Sequence, residues 1–375
     1  MAPRRTATPP VIAGYTYVRP LGSGGFADVF LYEQDMPRRV TAVKVLRADA
    51  IDPEVRRSFN AEADVMARLS THPAIVTIHQ ASISSDGRPY LAMEFCPETM
   101  AARYKRAPLP IAEVLDVGVR LAGALETAHR AGLLHRDIKP SNVLINAYGA
   151  PVLADFGIAA AAHGDDESEV FAMSVPWSAP EVLREEVSGT VASEIWSLAA
   201  TLYTLAAGRS PFELDDRARN TSEQLMKRIS RAVYPRIPVP GTPAELDRVL
   251  AAAMVREPAR RPASMAAFAD LLRDAQYRLG LPVTAFEVAA PEWAGAAPVR
   301  FSDASVRGPV ITTVAPNSRR AQRAAKRLAT GVDRDGLPVA AAAPKRSMTA
   351  GLVGAGIGVG VVAAAVVVLE LTGLI

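Results

Sequence analysis

The chain reads as an α+β protein of two lobes, a β-rich lobe followed by a larger helical one, then an irregular linker and one C-terminal membrane-spanning helix. Three patterns carry this. The first ninety or so residues hold short runs of Val, Ile, Leu, Tyr and Phe broken by Gly, Pro and Asp-Gly. After Pro110 the apolar residues recur at helical spacing, and 350–369 contains neither a charge nor a proline.

Strands are predicted over 15–21, 27–32, 40–46, 75–80 and 90–95, where β-branched and aromatic residues suit a pleated, half-buried surface. Between the third and fourth, Val55, Phe59, Ala63, Met66 and Leu69 fall on one face of a helix. Further helices are predicted over 114–131, 192–207, 222–229, 244–254 and 264–279. A cleft between the lobes is the expected ligand site. The expected organisation is a flexible N-terminus over 1–13 and a domain over 14–281, with lobes at 14–95 and 98–281. A mostly disordered linker over 282–348, a membrane helix over 349–371 and a short external tail over 372–375 follow.

A chain of 375 residues, 49% hydrophobic and 22% charged, has the material for a large core and is not disordered as a whole. Its formal charge is +3, but the basic residues are not gathered in the first 280, which argues against a nucleic-acid partner. Cys96 is alone, so neither an intrachain disulfide nor a cysteine metal cluster supports the fold, and a reducing compartment fits. No apolar run follows the arginines of 1–10, so no secretory signal is expected. As a helix, 350–369 would be about 30 Å long, the thickness of a bilayer core. Lys345 and Arg346 precede it, with Arg319, Arg320, Arg323, Lys326 and Arg327 further back. This places the N-terminal part on the cytoplasmic side of the cell's inner (plasma) membrane. Gly354, Gly356, Gly358 and Gly360 form small-xxx-small pairs of the kind through which two spans approach as a homodimer, though glycine is also common in unpaired spans.

The chemistry-bearing residues occur in a fixed order. Gly22, Gly24 and Gly25 lie between two predicted strands, where the lack of a Cβ lets backbone N–H groups close over phosphates; alone this is a weak signal. Ala42-Val43-Lys44 ends an apolar strand with a cation, and Glu62 lies on the periodic helix that follows. His135-Arg136-Asp137-Ile138-Lys139-Pro140-Ser141-Asn142 is followed by Asp155-Phe156-Gly157. Phosphoryl transfer asks for little covalent chemistry from a protein. It needs oxygen ligands for Mg²⁺ and a separate carboxylate at the attacking hydroxyl. Asn142 and Asp155 suit the metal, and Asp137 suits the hydroxyl. Either aspartate alone would be an ordinary turn residue, but the two motifs together are not coincidental.

With Ala179-Pro180-Glu181 completing the series, the chain from about 15 to 279 resembles the eukaryotic-like (Hanks-type) Ser/Thr protein kinases, in particular the bacterial membrane-bound group. The resemblance implies the bilobal protein-kinase fold, ATP with Mg²⁺ (Mn²⁺ as a second candidate ion), and protein Ser/Thr hydroxyls as acceptors, the kinase's own among them. It implies that Lys44 binds the α/β-phosphates and pairs with Glu62, that Asp137 is the catalytic base, and that Lys139 meets the γ-phosphate. Asn142 and Asp155 would hold the metal. Gly22, Ser23, Gly24 and Gly25 would cover the phosphates, and Leu21, Val29, Ala42 and Leu144 would sandwich the adenine. Met93 resembles the gatekeeper, with Glu94 and Cys96 as hinge residues. Lys139, two residues after the catalytic aspartate, is the Ser/Thr-kinase choice, and Glu181 with Arg261 resembles an ion pair bracing the helical lobe.

Several positions depart from the family pattern. Ala27 replaces the third glycine, and Glu194 stands where an aspartate supporting the catalytic loop is expected. No threonine lies between Gly157 and Ala179; that stretch offers Ser168 within Asp165-Asp166-Glu167-Ser168-Glu169, and Ser174 at the position that meets the catalytic aspartate. The acidic run either substitutes for phosphate near Arg136 or is a solvated loop tip. Two rival functions remain at this level. A scaffold that binds nucleotide without transfer would be marked by loss of Lys44, Asp137, Asn142 or Asp155, and all are present. A small-molecule phosphotransferase would lack Ala179 to Glu181.

Overall fold

A computed structural model describes residues 8–24, 27–47, 59, 63, 64, 66–156 and 174–289. Gly25, Glu62, the acidic run with Ser168, most of the expected linker and the expected membrane helix lie outside the described residues.

Five antiparallel strands form the first lobe: β1 (Tyr15–Ser23), β2 (Ala27–Asp35), β3 (Arg38–Leu46), β4 (Ile78–Ile83) and β5 (Pro89–Glu94), in the order β1-β2-β3-β5-β4. Directly opposed residues share a side of a sheet and alternate residues share a face. Val29 opposes Lys44, Lys44 opposes Leu91, and Ala42 opposes Leu31 and Met93, so these six line one face. The intervening residues Phe30, Tyr32, Val43, Val45, Tyr90 and Ala92 face the other way. There they join Ile12 and Tyr15 in a separate apolar cluster. The sheet thus has one face committed to its own aromatic core and the other to the rest of the molecule. The helical residues of 59–69 pack with Phe59, Ala63, Met66 and Leu69 buried, on the predicted face.

Two expected boundaries shift. The strand predicted over 75–80 starts at Ile78, because Ile75 and Val76 are spent on a parallel bridge to Leu153, with Val76 N–H donating to the Leu153 carbonyl at 3.0 Å. These two apolar residues are a buried connector, which periodicity cannot tell from a strand. Residues 282–289, expected as the start of the linker, are packed against the helical lobe, and Thr284 is buried.

The second lobe opens with a small sheet of β6 (Glu98–Thr99), β7 (Val143–Ile145) and β8 (Pro151–Leu153), too short to leave an alternation in the sequence. Its helices are α1 (Met100–Arg106), α2 (Ile111–Arg130), α3 (Pro180–Leu183), α4 (Val191–Ala207), α5 (Ser222–Arg231), α6 (Ala244–Ala253) and α7 (Met265–Arg278). Helix α4 is apolar nearly all round and is buried from Ser193 to Ala206 apart from Ser197, as expected of a central helix. A Thr190/Ser193 capping box starts it and Gly208, at φ 75°, ends it. Helix α2 crosses it at Gly118, where a Cβ would come within 2.8 Å of Leu202 and 2.9 Å of Leu272. This explains a glycine inside a helix, where it otherwise costs about 1 kcal/mol.

Candidate active site

The loop between α2 and β7 presents Asp137 at the centre of a bonded cluster. Its Oδ1 accepts from Ser174 Oγ at 2.8 Å, and its Oδ2 accepts from Asn142 Nδ2 and from Lys139 Nζ, each at 2.9 Å. Lys139 Nζ also donates to Ser174 Oγ at 3.0 Å, closing a triangle around the carboxylate. Burial pushes the Asp137 carboxyl up, but Lys139 and the hydroxyl of Ser174 outweigh it and hold the group below the ordinary carboxylate value. The group is therefore ionised at neutral pH and well oriented, though a weak base.

Opposite it, Lys44 Nζ lies 3.0 Å from Asp155 Oδ1. The charge of Lys44 keeps Asp155 ionised, below the usual carboxylate range, although half of its side chain faces the open cleft. Asp155 sits at φ 56° and Arg136 at φ 66°, left-handed conformations that non-glycine residues adopt only when held there. Both are held. Ala154 N–H donates to the Asn142 carbonyl at 2.9 Å and the Ala154 carbonyl faces His135 Nε2 at 3.0 Å. Asp137 N–H donates to His135 Nδ1 at 3.3 Å, so the Nε2 of His135 carries the proton. Burial pushes His135 below its ordinary value and keeps it neutral, and its ring lies 4.6 Å from that of Phe156.

Arg136 is held by Glu194, whose Oε1 accepts the Arg136 backbone N–H at 2.6 Å and whose Oε2 accepts from His129 Nε2 at 2.6 Å. The longer side chain at this position therefore still reaches the catalytic loop. His129 was not legible as its partner, because the pair joins the end of α2 to the start of α4 and no spacing in the sequence signals it. Glu181 and Arg261 form the expected brace as a bidentate pair at 2.6 and 2.9 Å, with Arg261 also stacked 5.0 Å from the centre of the Trp196 ring.

The expected adenine-contacting residues gather on the inner face. Val29, Ala42 and Met93 share one side of the sheet by register, and Leu21, Val29, Cys96 and Leu144 are part-buried against the core. Glu94 N–H is tied to the Thr77 carbonyl at 2.8 Å at the end of β5. Burial, with the Glu94 charge adding to it, pushes the Cys96 thiol up to about 12, so it is a packing residue rather than a nucleophile. Gly22 and Ser23 close β1, and the Gly24 N–H donates to the Ala27 carbonyl at 2.8 Å. A Cβ at Gly24 would lie 3.3 Å from that carbonyl, tighter than an ordinary contact.

The residues fit a hard divalent cation. Asn142 spends its Nδ2 on Asp137, which leaves its side-chain Oδ1, with only a long 3.4 Å bond from Ser141 Oγ, as an acceptor, and Asp155 offers a carboxylate. Among the described residues, no three His, Cys, Asp or Glu side chains gather as a metal-holding group. Asn142 and Asp155 would together offer two oxygens to such an ion.

Comparison with known proteins agrees with this geometry. Residues 15–272 match the protein kinase domain family. Serine/threonine-protein kinase PknK of Mycobacterium tuberculosis is 42% identical over 276 residues, 72% of this chain and 24% of that protein. PknF of the same organism is 39% identical over 264 residues, 66% of this chain and 53% of its own length. The crystal structure of a point mutant of the Mycobacterium tuberculosis PknI kinase domain is 32% identical with a TM-score of 0.53, covering 73% of this chain and 99% of that one. The chain thus spans about a quarter of PknK and about half of PknF.

Proposed function

This chain belongs to the protein kinase family, and from that premise we propose that it is a Ser/Thr protein kinase, transferring the γ-phosphoryl group of ATP to protein Ser/Thr hydroxyls, its own included. The carrying observation is the bonded cluster of Asp137, Lys139, Ser174 and Asn142 facing Lys44 and Asp155. A metal ion held by Asn142 and Asp155 would neutralise phosphate charge. Asp137 orients the acceptor hydroxyl and takes its proton. Its depressed pKa makes early proton removal inefficient, which suits a loose transition state in which the proton leaves late. Lys139 lies beside that carboxylate, where a transferring phosphoryl group would need a cation, and Ser174 bonds to both groups and fixes their aim. Lys44 supplies the cation for the remaining phosphates; Glu62, its expected partner, lies outside the described residues. Leu21, Val29, Ala42, Met93 and Leu144 enclose the base, and Glu94 and Cys96 offer their backbone to its edge. With Lys44, Asp137, Asn142 and Asp155 all present, nothing favours a scaffold without transfer.

The chain's place in the cell is part of the same proposal. The uncharged, proline-free run 350–369, preceded by basic residues, supports a single span with the catalytic lobes on the cytoplasmic side of the inner membrane. No helix among the described residues is long and apolar enough to cross a membrane, so this support comes from the sequence alone. The glycines of the span support pairing of two chains, which would raise local concentration for phosphorylation of one copy by another.

The test is phosphate incorporation from labelled ATP with Mg²⁺ by the full chain, beside Asp137→Asn. Label on serine or threonine that falls about 100-fold or more in the variant is expected. Equal labelling of parent and variant would overturn the assignment of Asp137, and no labelling by folded, ATP-binding parent would overturn the activity.

A further inference from the structure

Residues 282–289 form an extended strap along helix α2. Thr284 seats one end: its N–H donates to Gln276 Oε1 at 3.0 Å, and its Oγ1 accepts from Gln276 Nε2 and donates to Asp116 Oδ1, both at 2.8 Å. Ala289 N–H reaches Thr127 Oγ1 at 3.2 Å at the other end. From Asp116 to Thr127 a helix advances about 16 Å, and five extended residues from Thr284 to Ala289 cover about the same length. Between these ends the Glu287 carbonyl lies over Gly123, so close that a Cβ there would stand 2.3 Å from it. The groove exists because residue 123 is glycine.

The same carbonyl has a second neighbour, His72 Nε2, at 2.9 Å. His72 Nδ1 accepts from Ala74 N–H at 3.1 Å, so Nε2 carries the proton and donates to the strap. His72 belongs to the connector that leads from the first-lobe helix into β4. From there the bonds run into the active site. The Ala74 carbonyl accepts Leu153 N–H at 2.9 Å, two residues before Asp155, and the Thr77 carbonyl accepts Glu94 N–H at the end of β5.

We propose that the strap is a positioning segment for the nucleotide–metal site, working as an intramolecular ligand of the α2 groove. Docked, it holds the connector 70–77 in the register that sets Asp155 and Glu94. Released, it lets the connector loosen and weakens ATP binding. Events in the C-terminal part of the chain thereby gain a handle on the active site. The kinetic half of this inference rests on the kinase function proposed above; the structural half does not.

The test uses the full chain with Gly123→Ala, whose methyl group must lift the strap while alanine is the better helix former, and Thr284→Val, which keeps the shape and removes the hydroxyl bonds. Hydrogen exchange is followed at 282–289 and 70–77, with ATP binding and steady-state kinetics alongside. Both variants are expected to exchange about tenfold faster in both segments, the effect of one lost net hydrogen bond. ATP affinity should weaken and KM for ATP should rise by a similar factor, with kcat within about twofold. Faster exchange of the strap with the connector and ATP affinity at parental values would overturn the positioning role. A strap as protected in Gly123→Ala as in the parent would overturn the glycine-dependent seat. Exchange and ATP binding need no turnover, so a chain that transfers no phosphate would refute the kinase function and still decide this inference.

Discussion

Replacing Glu194 tests whether this glutamate does the work expected of an aspartate. Its carboxylate is 3% exposed and is shared between the Arg136 N–H and His129 Nε2, each at 2.6 Å, while His129 Nδ1 has no partner among the described residues. Glu194→Ala leaves two buried donors unpaired at about 1–3 kcal/mol each and removes one buried methylene at about 0.8 kcal/mol. The expected loss is about 3–7 kcal/mol, a large fraction of the ~5–15 kcal/mol that holds a domain together. Glu194→Gln keeps an oxygen for Arg136 but turns an NH2 donor towards His129, whose ring must then accept at Nε2 and carry its proton on the unpartnered Nδ1, so the loss should be smaller than for alanine, about 1–3 kcal/mol. Catalysis should fall as well. Arg136 is held at φ 66°, a conformation costing roughly 1–2 kcal/mol. Without its bond to Glu194 it relaxes and carries Asp137 with it, and a displacement of about 1 Å lowers kcat on the order of 100-fold. The assay pairs urea unfolding of the full chain with steady-state phosphate transfer, and KM for ATP should hold near the parental value. An alanine variant within about 1 kcal/mol of the parent and with kcat within about threefold would refute this account.

The Glu181–Arg261 pair is almost wholly buried, so Arg261→Ala, which strands a buried carboxylate, should destabilise the chain by about 3–5 kcal/mol in urea unfolding. Arg261→Lys should recover less than half of that, because a point charge cannot make the two parallel bonds; full recovery would show that charge alone matters. Stability should also depend on pH below neutrality. His72, His79 and His135 are all pushed below their ordinary 6.5 by burial, so the unfolded chain binds protons that the folded one refuses. Their contribution is complete above 6.5 and is lost as pH falls towards the folded values, at up to ~1.4 kcal/mol per pH unit for each of the buried His72 and His135 and less for the half-exposed, solvent-screened His79. Asp137 and Asp155, held below 3.8, keep their charge through that window. The unfolding midpoint should be level above about pH 7 and fall from there to pH 5; a level midpoint throughout would contradict the buried neutral state of these rings.

Local pattern settled a great deal here. Alternation and helical spacing place the five strands, the helical face of Phe59, Ala63, Met66 and Leu69, and five helices to within a few residues, because most of these elements bury one face against one of two apolar clusters. The motifs singled out Asp137, Lys139, Asn142 and Asp155, and the fold brings Asp137, Lys139 and Asn142 into one bonded cluster. What the sequence alone could not determine are contacts between distant segments that follow no period. The pairing of His129 with Glu194 joins two helices, Ile75 and Val76 serve as a connector because Leu153 lies beside them, and 282–289 is structure because α2 offers a groove. Gly123 was the visible sign of that groove, a glycine inside a helix where close backbone approach is the common reason. Its partner, the carbonyl of Glu287, lies 164 residues away along the chain. Only folding brings the two together, because the seat is built from backbone atoms, which every residue shares and no sequence pattern marks.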